Sequence, residues 1–367
     1  MNSFGTIFRV SLFGESHGAC VGAVIDGCPA GIKVDEGLFA EDLARRKPLC
    51  TSVSSPCISV KQKNSYTENH REPQRTTEKT VNPQSPLSTG MTARREADVP
   101  EIVSGVYNGF TTGAPITLLF RNQDIRPSDY TQFGHLPRPG HADFVAMKKY
   151  HGFADMRGGG HFSGRLTVAL TAAGVIAKEV IKPVRIVATL VEAGGSADID
   201  KNVQKAAQQR DSIGGMIACR ITGLQSGVGE PFFDGLESVV SHAVFAIPGV
   251  KAIAFGSGFE AASMRGSEHN DVIIAETGTT KTNHAGGING GISNGNDVYF
   301  RVAVKPTPSI GLPQQTFNFA TKTMDTLTIE GRHDVCFALR LPPVVEAATA
   351  IALAGIKPLQ APPRGGM

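Results

Sequence analysis

Several short loops in this chain place glycine beside residues that carry charge or move protons. They are Gly14-Glu15-Ser16-His17-Gly18, Arg138-Pro139-Gly140-His141-Ala142-Asp143, Arg157 to Arg165, Asn283 to Gly291, Lys305-Pro306-Thr307-Pro308-Ser309 and Gly331-Arg332-His333-Asp334. Glycine lets backbone N–H groups approach an anion closely. Arg, Lys and Ser add charge-assisted donors suited to phosphate. His titrates near neutral pH and can give or take a proton. A pocket for a phosphorylated substrate would use this combination. Each loop also has an ordinary reading: a glycine run as a tight turn, a turn histidine as a surface hydrogen-bonding group, Arg332-His333-Asp334 as surface charge. The residues by themselves therefore lead to an enzyme or binder acting on an anionic small molecule. The sequence has no P-loop, no G-x-G-x-x-G opening a helix after a strand, no H-E-x-x-H or Cys/His metal quartet, and no G-x-S-x-G elbow.

The elements that must position these loops follow from periodicity. Phe8 to Leu12 alternates apolar and polar, which predicts a half-buried strand, and Val21 to Ile25 predicts a second. Asp35 is placed to cap a helix whose Leu38, Phe39 and Leu43 face inward and which ends in Arg45-Arg46-Lys47-Pro48. Basic side chains at a helix C-terminus gain about 0.3–1 kcal/mol from the dipole, so this cluster has a bland explanation. Adjacent cations still repel, and an anionic partner would relieve them. Leu166 to Ile181 is apolar nearly all round and predicts a buried helix. Strands are expected at Ile102-Val103, Pro115 to Phe120, Arg185 to Val191, Met216 to Ile221 and Val298 to Lys305. In the last, Val298, Phe300, Val302 and Val304 share one face. Helices are expected over Leu236 to Phe245 and Pro343 to Ala354. Strands and helices do not alternate regularly, which favours a mixed, largely antiparallel α+β arrangement over a doubly wound parallel sheet.

Composition bounds the function. The chain has 367 residues, 41% hydrophobic and 19% charged, which fits a folded soluble protein rather than a disordered one. A net charge of +3 from 36 basic and 33 acidic residues is too balanced for a nucleic-acid binder. No apolar run reaches the roughly 18 residues of a membrane span, so no membrane partner is expected. Arg9 and Glu15 interrupt the apolar N-terminus, which therefore reads as neither a secretory signal nor a transit peptide. The six cysteines form no C-x-x-C pair and read as mostly buried thiols of a reducing cytoplasm. The 42 glycines exceed the usual share of about 7% and mark the loops as unusually permissive. Residues 49–85 are polar and aperiodic, and read as an insertion within one domain spanning 1–367.

Taken in order, the motifs resemble the chorismate synthase family. The opening Phe8-Arg9-Val10, Phe13-Gly14-Glu15-Ser16-His17-Gly18 and Asp26-Gly27-Cys28-Pro29-Ala30-Gly31 is similar to that family's opening nearly residue for residue. Arg45-Arg46-Lys47-Pro48, Ser104-Gly105-Val106, Thr111 to Ile116, Arg126-Pro127-Ser128-Asp129-Tyr130 and Arg138 to Asp143 follow. Then come Asp211 to Gly215, Gly227 to Pro231, Gly266-Ser267-Glu268, His284 to Gly291, Lys305 to Ser309 and Gly331 to Asp334. The resemblance implies an α+β chorismate synthase fold with helices sandwiched between largely antiparallel sheets. It implies conversion of 5-enolpyruvylshikimate 3-phosphate to chorismate by a reduced-FMN-dependent anti 1,4-elimination, the last step of the shikimate pathway, in a cytoplasmic homotetramer. It assigns catalytic roles to His17 and His141, as proton donors toward flavin and departing phosphate, and to Asp334 in proton traffic at the flavin. It places FMN at His161, Phe162, Ser163, Gly290, Lys305, Pro306, Thr307, Pro308, Ser309 and Arg332, and a substrate or pyridine-nucleotide contact at Arg46. Arg9, Arg138 and Arg165 are added here as further cations for the substrate; no metal is implied.

The sequence also departs from the family's usual pattern. Gly158-Gly159-Gly160-His161-Phe162-Ser163-Gly164-Arg165 stands where many members carry an arginine at the position of His161, although a His-Phe-Ser-Gly-Arg form occurs in one bacterial branch. Pro248-Gly249 replaces a common Asn-Ala at a flavin contact, and Val335 replaces a usual proline. Thr89 aligns with a second family arginine, which favours a form that needs its flavin reduced elsewhere over one that reduces FMN with NADPH. A binding relative with a regulatory or structural role is the reading from another class; retention of His17, His141 and Asp334 weighs against it.

Overall fold

The computed structural model describes residues 2–47, 98–123, 133–329 and 334–356. The insertion at 49–85, Thr89, the Arg126 to Tyr130 motif and Arg332 lie outside the described residues.

Alternation of apolar and polar side chains builds two antiparallel sheets. The first runs Ser3–Phe4, Arg9–Gly14, Cys20–Asp26, Ile116–Arg121, Glu101–Ser104 in spatial order. The second runs Val250–Phe255, Val298–Val304, Gly215–Thr222, Arg185–Ala193. In its central strand Val298, Phe300, Val302 and Val304 are all buried, as the period of two requires.

The most apolar helices fill the space between the sheets, and others lie outside it. Asp35 accepts a hydrogen bond from Leu38 N at 3.0 Å and opens a short 3-10 turn, Glu36–Phe39, that runs into α1, Ala40–Arg46. A helix over Asp143–Tyr150 (α2) follows the Arg138 loop. The long apolar segment forms α3, Thr167–Val180, buried from Thr167 through Ala177. Then come α4 (Ile199–Gln208), α5 (Leu236–Phe245) and the short α6 (Gly266–His269). The closing helix, α7, spans Pro342–Gly355, with proline in its first turn. Helix α3 packs on the first sheet, α7 packs on the second, and the two helices pack on each other. Gly174 makes that approach possible: a Cβ there would sit 2.2 Å from Ala347 Cβ. The resulting α+β sandwich is the arrangement expected from the sequence. No helix among the described residues is long and apolar enough to cross a membrane.

Ion pairs tie α1 into this core. Glu346 of α7 is 1% exposed and accepts from Arg45 Nη2 at 2.6 Å, Lys178 Nζ at 2.7 Å and Ala188 N at 2.9 Å. Asp42 receives the same two cations. The basic end of α1 is thus no solvated dipole cap. Arg45 turns into the helical core, whereas the neighbouring Arg46 turns elsewhere.

Candidate active site

Arg46 turns into a cavity of about 860 Å³ that gathers most of the glycine-rich loops. Its walls come from the ends of both sheets, from α3 and from the loops at 138–142, 158–165, 305–309 and 334–340.

The histidine loop is the most tightly specified part. Asp143, first residue of α2, is 3% exposed and grips Arg138 in a fork: Nε donates to Oδ2 at 2.7 Å and Nη2 to Oδ1 at 2.8 Å. Arg138 N also donates to Oδ2, at 3.0 Å. Arg138 Nη1 donates to Ser309 Oγ at 3.2 Å, and the guanidinium lies 4.5 Å from the centroid of the Phe133 ring. His141 Nδ1 lies 2.7 Å from Asp143 Oδ1 and 3.0 Å from Arg138 Nη2. An ionised carboxylate can only accept, and its contact is the shorter of the two, so Nδ1–H donates to Asp143 and Nε2 is left for chemistry; the Arg138 Nη2 approach is then a contact between two donors, not a hydrogen bond. Burial opposes ionisation of Asp143, but the Arg138 and His141 hydrogen bonds outweigh it and hold the carboxyl well below the ordinary carboxylate range.

The glycine run bends in a way only glycine adopts readily. Gly158, Gly159 and Gly160 have φ of 61°, 84° and 53°. A Cβ on Gly158 would stand 2.1 Å from His17 Nδ1, and one on Gly160 would stand 1.8 Å from Asp155 O. Gly160 O accepts from Ser16 N at 3.1 Å, which fastens this run to the first loop. His17 is 7% exposed and sits behind Gly158, while Gly158 and Ser16 line the cavity. His161 is anchored at both nitrogens, Nδ1 2.9 Å from Gly14 O and Nε2 3.0 Å from Asn2 Oδ1. Ser163 Oγ accepts from Arg165 N at 3.3 Å, and the Phe162 ring lies 6.3 Å from that of Tyr150.

The proline-rich loop docks on the histidine loop. Lys305 Nζ donates to Gly140 O at 2.7 Å, and burial together with nearby Lys251 pushes the Lys305 pKa down. Ser212 Oγ donates to Thr307 O at 2.7 Å. Thr307 Oγ1 is buried with no hydrogen-bond partner among the described residues. Asp334 accepts from Arg340 Nε at 3.2 Å. Pro248, Gly249 and Phe337 add apolar wall.

The cations form a second cluster. Arg46 is 6% exposed; Nε donates to Thr167 Oγ1 at 3.0 Å, Nη2 to Gly164 O at 3.3 Å and Nη1 to Asp98 Oδ2 at 3.3 Å. Burial, helped by Arg165 and Arg340 and opposed by Asp98 and Asp334, pushes its pKa down to about 10, so it stays cationic at neutral pH. Arg165 pairs with Asp98 through Nη1 and donates from Nε to Asn122 Oδ1 at 3.1 Å.

The structure therefore brings Arg46, Arg138, His141, His161, Phe162, Ser163, Arg165, Lys305 to Ser309 and Asp334 to one cavity, with His17 directly behind it. It places Arg9 and Gly290 elsewhere. Val10 lines the cavity, so strand alternation turns Arg9 to the opposite face, where it is exposed and paired with Asp26. Gly290 is exposed in the turn between Ile288–Asn289 and Ile292–Ser293 and is not part of the cavity wall. Asp98 and Arg340 carry no sequence signal and are found only through their partners. Asp143 had one, the His141-x-Asp143 spacing inside a recognisable loop.

Comparison with known proteins supplies the remaining context. The sequence model of the chorismate synthase family matches residues 8–61 and 78–356. A chorismate synthase of Chitinophaga pinensis is 49% identical over 355 residues, 96% of this chain and 96% of that one. One from Dehalococcoides mccartyi is 40% identical over 386 residues, covering 97% and 96%. One from Methanosarcina acetivorans is 39% identical over 383 residues, covering 96% and 94%. A solved crystal structure of a chorismate synthase shares the fold with a TM-score of 0.66 at 21% identity, over 96% of this chain and 92% of that chain.

Proposed function

This chain belongs to the chorismate synthase family, lyases of the last shikimate-pathway step, and from that premise we propose that it eliminates phosphate from 5-enolpyruvylshikimate 3-phosphate with the help of reduced FMN. The observation that carries this reading is one cavity in which His141, held by Asp143, shares the walls with Arg46, Arg138, Arg165, Lys305 and Arg340. The substrate bears two carboxylates and a phosphate, and charge-assisted donors of this kind are what bind such groups.

The residues present fit a flavin. Gly158 brings bare backbone to the cavity wall, Thr307 Oγ1 is a buried hydroxyl with no hydrogen-bond partner among the described residues, and Phe162, Pro306 and Pro308 offer apolar surface. His161, Phe162, Ser163 and Lys305 to Ser309 would hold it, with Pro248-Gly249 beside them. When bound, reduced FMN supplies electron density for breaking the carbon–oxygen bond and recovers it as the carbon–hydrogen bond breaks.

The chain's own side chains manage protons and charge. His141 delivers a proton from Nε2 to the departing phosphate, while Asp143 holds the ring in place through Nδ1. Arg138, Arg46 and Arg165 bind and orient the anionic groups. His17, directly behind Gly158, is assigned the proton delivered toward the flavin. Asp334, set by Arg340, serves proton traffic near the flavin. The same reading makes the protein a cytoplasmic homotetramer of single-domain chains that receives its flavin already reduced.

Anaerobic incubation of the protein with the substrate and chemically reduced FMN tests the reading. Release of inorganic phosphate and formation of chorismate are expected, and no turnover would end it. With oxidised FMN and NADPH alone, no NADPH consumption is expected; clear consumption would replace the monofunctional form with a bifunctional one.

A further inference from the structure

One carboxylate sits among the cavity's cations without any role in the chemistry above. Asp98 is 3% exposed on its side chain. Its Oδ1 accepts from Arg165 Nη1, and its Oδ2 lies 3.3 Å from Arg46 Nη1 and 3.1 Å from Lys47 Nζ. These three cations come from two separate segments, the end of α1 and the turn just before α3. With no countercharge they would repel at this distance and at this burial. With Asp98 in place the group keeps a formal excess of two positive charges, so it still attracts an anion.

The distribution of donors shows where that anion would bind. Arg46 has one hydrogen bond at each nitrogen, with Thr167, Asp98 and Gly164, which uses three of its five N–H groups. Arg165 has Nε on Asn122 and Nη1 on Asp98, but Nη2 is buried with no partner among the described residues. Both Arg165 and Asp98 line the cavity. Asp98 also adopts a left-handed backbone, φ 51°, which Asp tolerates better than most residues.

We propose that Asp98 is a positioning residue for substrate binding, fixing Arg165 so that Nη2 is presented to one anionic oxygen of the substrate. The proposal rests on the substrate assigned above. Asp98 does not touch the substrate; it acts through Arg165, and secondarily through Arg46.

Calorimetric titration of the full chain with 5-enolpyruvylshikimate 3-phosphate, in the presence of oxidised FMN so that nothing turns over, tests it. Arg165→Lys keeps a charge for Asp98 but loses the guanidinium fork, and its affinity is expected to fall about tenfold or more. Asp98→Asn is expected to lose affinity to a similar extent. The double variant should be no more than about twofold weaker than Arg165→Lys alone, because the two residues act through one contact. A merely structural Asp98 would instead give losses that multiply. Asp98→Glu keeps the countercharge and moves it by one methylene, so it tests position even if Asp98→Asn does not fold; reduced affinity is expected. Wild-type affinity in Arg165→Lys or Asp98→Glu, or independent losses in the double variant, would overturn the proposal. Wild-type protein that fails to bind the substrate would overturn it too. Protein that binds it but releases no phosphate under the anaerobic assay would end the functional reading and leave Asp98 its role.

Discussion

His141 depends on Asp143 for the proton chemistry assigned to it. The carboxylate is buried, clamped by Arg138, and 2.7 Å from the ring nitrogen that does not face chemistry. His141→Ala is expected to lower kcat about 10²–10⁴-fold while substrate affinity is retained, as measured by anaerobic phosphate release and by titration. Unchanged kcat would remove the role. Asp143→Asn keeps the volume and loses the charge. It is expected to lower kcat by about tenfold or more, since the imidazolium loses its countercharge. At this scale the sequence marks the histidines, the glycines between them and several arginines, because their types and spacing are local. It does not mark Asp98 or Arg340. Their meaning lies in partners such as Arg46, Arg165 and Asp334, which no sequence spacing relates to them.

At the scale of elements, two contacts hold the helical layer that carries the site. Gly174 lets α3 touch α7, and a Cβ there would meet Ala347 Cα at 2.3 Å. Gly174→Ala gains about 1 kcal/mol of helix propensity but forces two packed helices apart, an overpacking cost of about 1–3 kcal/mol. A lower midpoint in urea unfolding is expected; a higher one would show that the layer relaxes freely. Glu346 is the second contact. Burial raises its pKa, but Arg45 and Lys178 more than offset this and leave the carboxyl below its ordinary value of 4.5. A depressed carboxyl contributes stability above its unfolded pKa and loses it as pH falls through the folded one. Wild-type stability should therefore drop on acidification below about pH 4.5, and Glu346→Gln should flatten that dependence. At neutral pH, Glu346→Ala should lower stability, because Arg45 and Lys178 keep only Asp42 as a carboxylate partner and Ala188 N–H loses its acceptor. Denaturant titrations at several pH values measure both. Most strands of the two sheets and the longest helices were legible from their apolar period. Helices α2 and α4 were not read from the sequence: each buries only two residues, although Ile199, Val203, Ala206 and Ala207 of α4 do keep helical spacing.

For the whole molecule, two antiparallel sheets enclose the most apolar helices, and the loops at one end of the layers close round the cavity. Part of the outer surface is strongly apolar: Phe232 is 88% and Phe233 93% exposed. Adjacent aromatics left in water are costly, and a homotetramer would cover such patches. Light scattering coupled to size-exclusion chromatography is expected to give four times the chain mass; a monomer would remove the tetramer from the proposal. Sequence alone determined the fold class, most strands of the two sheets and the buried helix, because periodic burial is written locally along the chain; the edge strand Val250–Phe255 and the hairpin of Gln314–Asn318 with Thr323–Leu327 were not among them. It also marked the loops that serve the site, through glycine and the charged residues beside it. Only the tertiary structure decided which cations share one cavity. Arg9 left it by strand alternation, Arg45 turned into the core while Arg46 turned into the site, and Asp98 joined segments far apart in the chain. Each of those outcomes depends on which faces meet across the sandwich, and facing surfaces are a property of packing, not of sequence order.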